Sequence, residues 1–149
     1  MKKYKIKIIA SCFNQEITDL LISGAKKSAN SSEITSYSYV PGAFEIPAMV
    51  NQVLRNNKES DNYDGIITLG SIIKGETAHF EYISSSVINT LSQISLNSDI
   101  PVALGILTCY DYEQAILRAK SKKQGGLDKG GEVMTALLQT IEAWNSLTK

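Results

Sequence analysis

Gly65-Ile66-Ile67-Thr68-Leu69-Gly70-Ser71-Ile72-Ile73 is the stretch on which the fold turns. It is a nearly continuous apolar run, bounded by the polar segment Asn57 to Asp64 and by Lys74-Gly75. Such a run matches a strand buried on both faces, as the centre of a parallel sheet requires. A strand of that kind needs helices on both sides and crossover connections to its neighbours. Upstream, Tyr4 to about Ala10 sets Tyr4, Ile6 and Ile8 against Lys5 and Lys7, the period of a strand. A helix follows from about Glu16, with Ile17, Leu20, Leu21, Gly24 and Ala25 on one face. Ile34 to Val40 alternates weakly and ends at Pro41-Gly42; an amphipathic stretch runs from about Glu45 to Asn56, and Asn57 to Asp64 reads as an exposed loop. Downstream, a long helix aligns Phe80, Ile83, Val87, Leu91 and Ile94, and Pro101 to Thr108 is a fourth strand. Helix signals return at about Asp111 to Lys123, with Tyr112, Ala115, Ile116 and Ala119 inward. A glycine-rich break then precedes a last helix bearing Val133, Leu137, Ile141 and Trp144.

This alternation predicts an α/β chain: one doubly wound domain over residues 1–149, with a four-stranded parallel sheet flanked by helices in the flavodoxin-like order 2-1-3-4. Fifteen basic residues balance fifteen acidic ones, so no global field points to nucleic acid or to an anionic membrane. Any anion site has to be local. No apolar run approaches the ~18 residues of a membrane span. Lys5 and Lys7 interrupt what would have to be the apolar core of a signal peptide, and a cytoplasmic protein is expected. Cys12 and Cys109 stand far apart without metal-ligand spacing; they read as free thiols, and no metal is expected.

Open parallel sheets bind ligands beyond the C-terminal ends of their strands. Four loops therefore matter: Ser11 to Gln15, Pro41 to Glu45, Lys74 to His79, and Cys109-Tyr110. The third is the most informative. A buried strand runs into Gly75, and a helix opens a few residues later, so unpartnered N–H groups and the positive end of a helix dipole meet a glycine and the Thr77 hydroxyl. That combination fits a phosphate-sized anion, provided the Glu76 side chain points away while its N–H points in. The plainer reading makes Gly75 a turn glycine and Thr77 a helix N-cap. His79, the only histidine, lies in the first turn of the same helix; its type has an unperturbed pKa near ~6.5 and suits proton transfer, or it merely packs. Phe13 and Asn14 offer a stacking ring and an amide, though Phe13 is by default core. Glu45, after Pro41-Gly42-Ala43-Phe44, accepts from ligand hydroxyls or simply complements a helix dipole. Arg118, with Lys120, Lys122 and Lys123, ends the fourth helix, and Lys129 lies between Gly125-Gly126 and Gly130-Gly131.

Taken in order, four blocks carry a family resemblance: Phe13-Asn14; Pro41-Gly42-Ala43-Phe44-Glu45-Ile46-Pro47; Gly70-Ser71-Ile72-Ile73-Lys74-Gly75-Glu76-Thr77-Ala78-His79-Phe80-Glu81-Tyr82; and Gly105-Ile106-Leu107-Thr108 with Glu113-Gln114-Ala115 and Arg118-Ala119. Together they resemble lumazine synthase, in full 6,7-dimethyl-8-ribityllumazine synthase, over essentially the whole chain. The resemblance implies condensation of 5-amino-6-(D-ribitylamino)uracil with 3,4-dihydroxy-2-butanone 4-phosphate, the penultimate step of riboflavin formation, with no cofactor. It implies that Phe13 and Asn14 meet the pyrimidine, that Ala43, Phe44 and Glu45 line the ribityl side, and that Ser71, Ile72 and Ile73 present backbone groups to the ring. It further implies that Gly75, Glu76 and Thr77 hold the phosphate with Arg118 and Lys129, and that His79 is the acid–base residue.

Leu104 departs from the family pattern, which has an aromatic residue against the ring. Cys12 replaces a basic or polar residue, and Lys74 a common arginine. The resemblance also implies a homo-oligomer with its site between subunits, expected as a pentamer. The segment from Lys122 to Gly131 is longer than in shell-forming members and contains four glycines; read as a mobile loop, it predicts that pentamers do not build a sixty-subunit shell. Two other functions share the scaffold: a non-catalytic lumazine or flavin carrier, and an archaeal-type riboflavin synthase. Retention of His79, Thr77 and Arg118 speaks against the first, and the intact Gly75-Glu76-Thr77 turn against the second.

Overall fold

The computed structural model describes residues 2–30 and 32–147. Met1, Ser31, Thr148 and Lys149, and with them both ends of the expected 1–149 domain, lie outside the described residues. Strand β3 (Gly65–Ile73) coincides with the apolar run and is buried along its length apart from a half-buried Ile73. It lies between β1 (Lys5–Ser11) and β4 (Val102–Cys109), and β2 (Glu33–Val40) flanks β1. The order is β2-β1-β3-β4 and every pairing is parallel, as expected. Ala10 sits opposite Leu69 and Ile73 opposite Cys109, so the strands deliver their connecting loops to one edge.

Helices α1 (Gln15–Ser28), α4 (Tyr112–Ala119) and α5 (Lys129–Ser146) cover one face of the sheet, and α2 (Ile46–Asn56) and α3 (His79–Asn97) cover the other. The first layer closes over Ile6, Ile8, Ile67 and Leu69 with Ile17, Leu21, Met134 and Leu137. The second gathers Ile9, Ile66 and Ile72 under Ile46, Val50, Val87 and Leu91. Each fully buried aliphatic side chain contributes roughly 1.5–3 kcal/mol, so the two clusters carry the fold. Among the described residues, no helix is long and apolar enough to cross a membrane.

Several expectations need correction. Lys7 does not alternate outward: β1 is buried on both faces, and the Lys7 ammonium donates to Ser36 Oγ at 2.6 Å and lies 5.7 Å from the Tyr63 ring centre. Asn57 to Asp64 is not all loop, because Asn57–Asp61 prolongs α2 as a π-helical turn that ends at Asn62 in the left-handed region. The Asn57 amide braces that turn by pairing with the backbone of Tyr63. Helix α4 stops at Ala119, since Lys120 leaves helical geometry at ψ 145; Lys122–Gln124 forms a separate 3-10 turn. Tyr112 is exposed and donates its hydroxyl to Glu16, tying α4 to α1.

The glycine-rich segment is the largest correction. It is not a loose loop. Backbone bonds from Gly126 to Ser121, Leu127 to Leu117 and Asp128 to Lys120, at 2.9–3.0 Å, fold it back on α4. Asp128 then caps α5, its carboxylate accepting from Gly131 N–H at 3.2 Å. Gly130 and Gly131 belong to the first turn of α5. A Cβ on Gly130 would stand 2.1 Å from the Leu21 carbonyl oxygen, so glycine is there to let α5 touch the backbone of α1. A costly, mobile loop is therefore not what this segment sets against shell assembly.

Candidate functional site

The loops that leave the sheet at its C-terminal edge are built by short-range rules. β1 ends at Ser11, and Asn14 takes a left-handed conformation (φ 58), which asparagine tolerates better than most residues. Its carbonyl accepts from Ile17 and Thr18 to start α1, while its side-chain amide donates to Ser71 Oγ at 3.4 Å. This turn throws Phe13 outward, 70% exposed, so Phe13 is not core. Cys12 and Phe13 donate backbone bonds to Val40 and Pro41, which brings the second loop alongside.

Beneath these loops Ser11 is fully buried, and its hydroxyl has no hydrogen-bond partner among the described residues. It faces Gly70: a Cβ there would lie 2.3 Å from Ser11 Oγ. The ends of β1 and β3 meet at this contact. In the second loop, Ala43–Glu45 forms a 3-10 turn in which the Glu45 carboxylate accepts from Gly42 N–H at 3.0 Å. Glu45 thus has one oxygen engaged in bracing its own turn. Ala43 is buried and Phe44 is 61% exposed.

In the third loop Ser71 and Ile72 are buried at the end of β3, and Lys74 through His79 are exposed. A Cβ on Gly75 would meet nothing within 4 Å, and its φ is not positive. The turn itself does not require glycine there, which removes the plainer reading of that residue. Ala78, rather than Thr77, is the N-cap of α3; Thr77 Oγ1 accepts from His79 N–H at a long 3.4 Å. His79 is the first residue of α3. This corner therefore holds the N-terminus of a 19-residue helix and the positive end of its dipole.

The fourth loop adds Tyr110, 69% exposed, whose ring centre lies 6.2 Å from that of Phe80. Sequence reading had marked its loop but given the ring no part. Arg118, half-buried on α4, donates to Gln114 O at 3.1 Å. Burial pushes the Cys109 thiol up, and the Arg118 guanidinium pulls partly the other way. Cys12 and Cys109 are both free thiols. Among the described residues, no cluster of three His, Cys, Asp or Glu side chains could hold a metal ion.

This architecture has counterparts. The family of 6,7-dimethyl-8-ribityllumazine synthase matches residues 3–145. The chain belongs to that family. It is also 40% identical over 147 residues to the 6,7-dimethyl-8-ribityllumazine synthase of Leuconostoc mesenteroides subsp. mesenteroides, covering 96% of this chain and 90% of the relative.

Within one copy of this lumazine synthase family member, the expected residues fall into two groups. Arg118 is the penultimate residue of α4, beside the backbone that Leu127 and Asp128 pair with, while Phe13, Asn14, Ala43 to Glu45, Ser71 to Ile73, Gly75 to Thr77 and His79 stand at or next to the C-terminal edge of the sheet. Leu104 and Lys129 do not. Leu104 sits opposite Thr68, five positions down the edge strand from Cys109, or roughly 17 Å at ~3.3 Å per residue. It is 44% exposed and lines a groove of about 450 Å³ with Ile88, Leu91, Leu96 and Val102. Lys129 opens α5, and its ammonium is held by both oxygens of Glu132 at 2.9 Å. One chain does not bring these two to the loops.

Proposed function

We propose that this protein condenses 5-amino-6-(D-ribitylamino)uracil with 3,4-dihydroxy-2-butanone 4-phosphate to give 6,7-dimethyl-8-ribityllumazine. An amine attacks the ketone and loses water to form an imine, phosphate is eliminated, and ring closure expels a second water. The supporting observation is the corner where an open-faced Gly75, the Thr77 hydroxyl and the start of α3 surround His79 in a chain of this family. Phosphate lies at the N–H groups of Gly75, Glu76 and Thr77 with Arg118, where its departing charge is stabilised by pre-organised donors. His79, beside it and open to solvent, moves protons in the successive steps. Phe13 stacks on the pyrimidine, Asn14 and the backbone of Ser71, Ile72 and Ile73 meet its edges, and Phe44, Ala43 and the free oxygen of Glu45 receive the ribityl chain. No cofactor takes part, since no step changes oxidation state overall.

The exposed rings of Phe13, Phe44 and Tyr110 form half of a cleft, and Leu104 and Lys129 belong to the other half, contributed by a neighbouring copy. The protein is a cytoplasmic homopentamer of one-domain chains, residues 1–149, with its sites between subunits. Mixing purified protein with the two substrates should produce the fluorescent lumazine and free phosphate in equal amounts; light scattering should give a mass of five subunits or a multiple of five. Absence of both products would refute the activity. A monomer with full activity would refute the shared site.

A further inference from the structure

Lys74 follows β3 and precedes the Gly75-Glu76-Thr77 turn. Its N–H donates to Cys109 O at 3.0 Å, so its backbone is fixed while its side chain is free to reorient. The ammonium lies 5.6 Å from the Tyr110 ring centre and 4.0 Å from Glu81 Oε1. Glu81 is in the first turn of α3, so Nζ already stands beside the helix end where the anion binds. The two side chains are 47% and 57% exposed, and an ion pair that long and that wet contributes almost nothing to stability. Lys129, by contrast, is gripped at 2.9 Å by the Glu132 carboxylate of its own helix, α5. Arg118 is directed into its own helix carbonyl. Of these three cations, Lys74 adjoins the turn in the chain and has the longest contact to its partner.

We propose that Lys74 is a further phosphate-binding residue that discriminates for the phosphorylated substrate. In the free protein its ammonium rests on Glu81 and Tyr110; when the phosphate arrives, it leaves Glu81 and pairs with the phosphate oxygens. A phosphate ester carries more charge than a carboxylate, ≈ −1.5 to −2 at neutral pH, and its position before the helix N-terminus favours the exchange. Glu81 then acts as a competitor: it holds the cation in waiting, and its own charge opposes the incoming anion. The inference rests on the reading of the reaction given above, but its test does not need turnover.

The two ends of the pair separate the proposal from a structural strut. If Lys74 and Glu81 merely brace the turn, removing either does the same harm. If Lys74 serves phosphate, Lys74→Gln and Glu81→Gln have opposite signs. Affinity for inorganic phosphate, measured by calorimetry on the full chain, should fall about 3- to 10-fold in Lys74→Gln and rise in Glu81→Gln, with Lys74→Arg restoring most of the loss. In steady state, KM for the butanone phosphate should follow the same order while KM for the aminouracil stays within about twofold. Equal weakening by both substitutions, or an unaltered phosphate affinity in Lys74→Gln, would overturn the proposal. If phosphate binds as described and no lumazine forms, the reaction is wrong and the anion residue stands.

Discussion

The two helical layers of this molecule are finished to different degrees. On one side α5 buries Gly130, Gly131, Met134, Leu137, Leu138 and Ile141 against α1 and the sheet. On the other, the 19 residues of α3 bury only Val87 and Leu91, and Tyr82 and Leu96 are exposed. Both helices are amphipathic and of similar length, so propensity does not explain the contrast. The sealed layer supplies the larger of the two buried clusters. The open layer begins at His79 and runs beside the groove that contains Leu104. Packing is thus divided unequally between the faces of one sheet.

The strongest way to break this division is at the α1–α5 contact. Gly130→Leu places a side chain where even a Cβ stands 2.1 Å from the Leu21 carbonyl, and backbone does not yield cheaply. Overpacking of a core costs typically 1–3 kcal/mol and more when backbone is the obstacle; we expect no cooperatively folded protein by circular dichroism. A melting curve like that of the unsubstituted chain would show that the sealed layer is not what stabilises the fold.

His79→Ala tests the open side. The side chain is exposed and supports no packing, so the melting temperature should not move, while turnover should fall by about 10²–10⁴-fold. Some activity should persist, because holding two reactants together accelerates the reaction without an acid or base. A rate within about twofold of the original would take His79 out of the chemistry.

Arg118→Ala examines the sealed side, to which α4 belongs. KM for the butanone phosphate should rise roughly 10- to 150-fold, the worth of charge-assisted bonds of about 1.5–3 kcal/mol. KM for the aminouracil should change far less. Equal effects on both would assign Arg118 to shaping the fold or the oligomer.

The smallest effect concerns Lys7. Burial holds its ammonium below the usual 10.5, partly offset by Asp61. Between the folded value and 10.5 the unfolded chain binds more protons than the folded one, so stability rises with pH across that window. At neutral pH the buried charge is a cost. Lys7→Met should raise the melting temperature by a few degrees at pH 7, for about 1 kcal/mol, and the gain should shrink as pH approaches 10.5. A loss of stability at pH 7 would mean that the Ser36 hydrogen bond and the Tyr63 ring outweigh desolvation.

Sheet order and strand positions were legible because an unbroken apolar run such as Gly65–Ile73 has few other homes. Where the reading slipped, tertiary contact overrode local preference. Gly130 and Gly131 look like loop until Leu21 is seen against them, and Lys7 looks like surface until β2 and Tyr63 close over it. The Gly75 to His79 corner was legible because strand end, glycine and helix start adjoin in the chain. Leu104 and Lys129 stand apart from the loops because the depth of Leu104 along β4 and the seat of Lys129 at the start of α5 become distances only in the fold. Tyr110 and Lys74 were overlooked as partners because their meeting depends on the pairing of β3 with β4.

The contact between Ser11 and Gly70 has a consequence for how this sequence is free to drift. A hydroxyl on β1 occupies the volume that a methyl group on β3 would need, so alanine at 70 obliges the Ser11 side chain to swing aside within a fully buried site. Once position 11 has lost its oxygen no such movement is asked for, because Ser11 Cβ, at 3.3 Å, is then the nearest atom of that residue. Substitution at 70 is therefore easier after a change at 11 than before it.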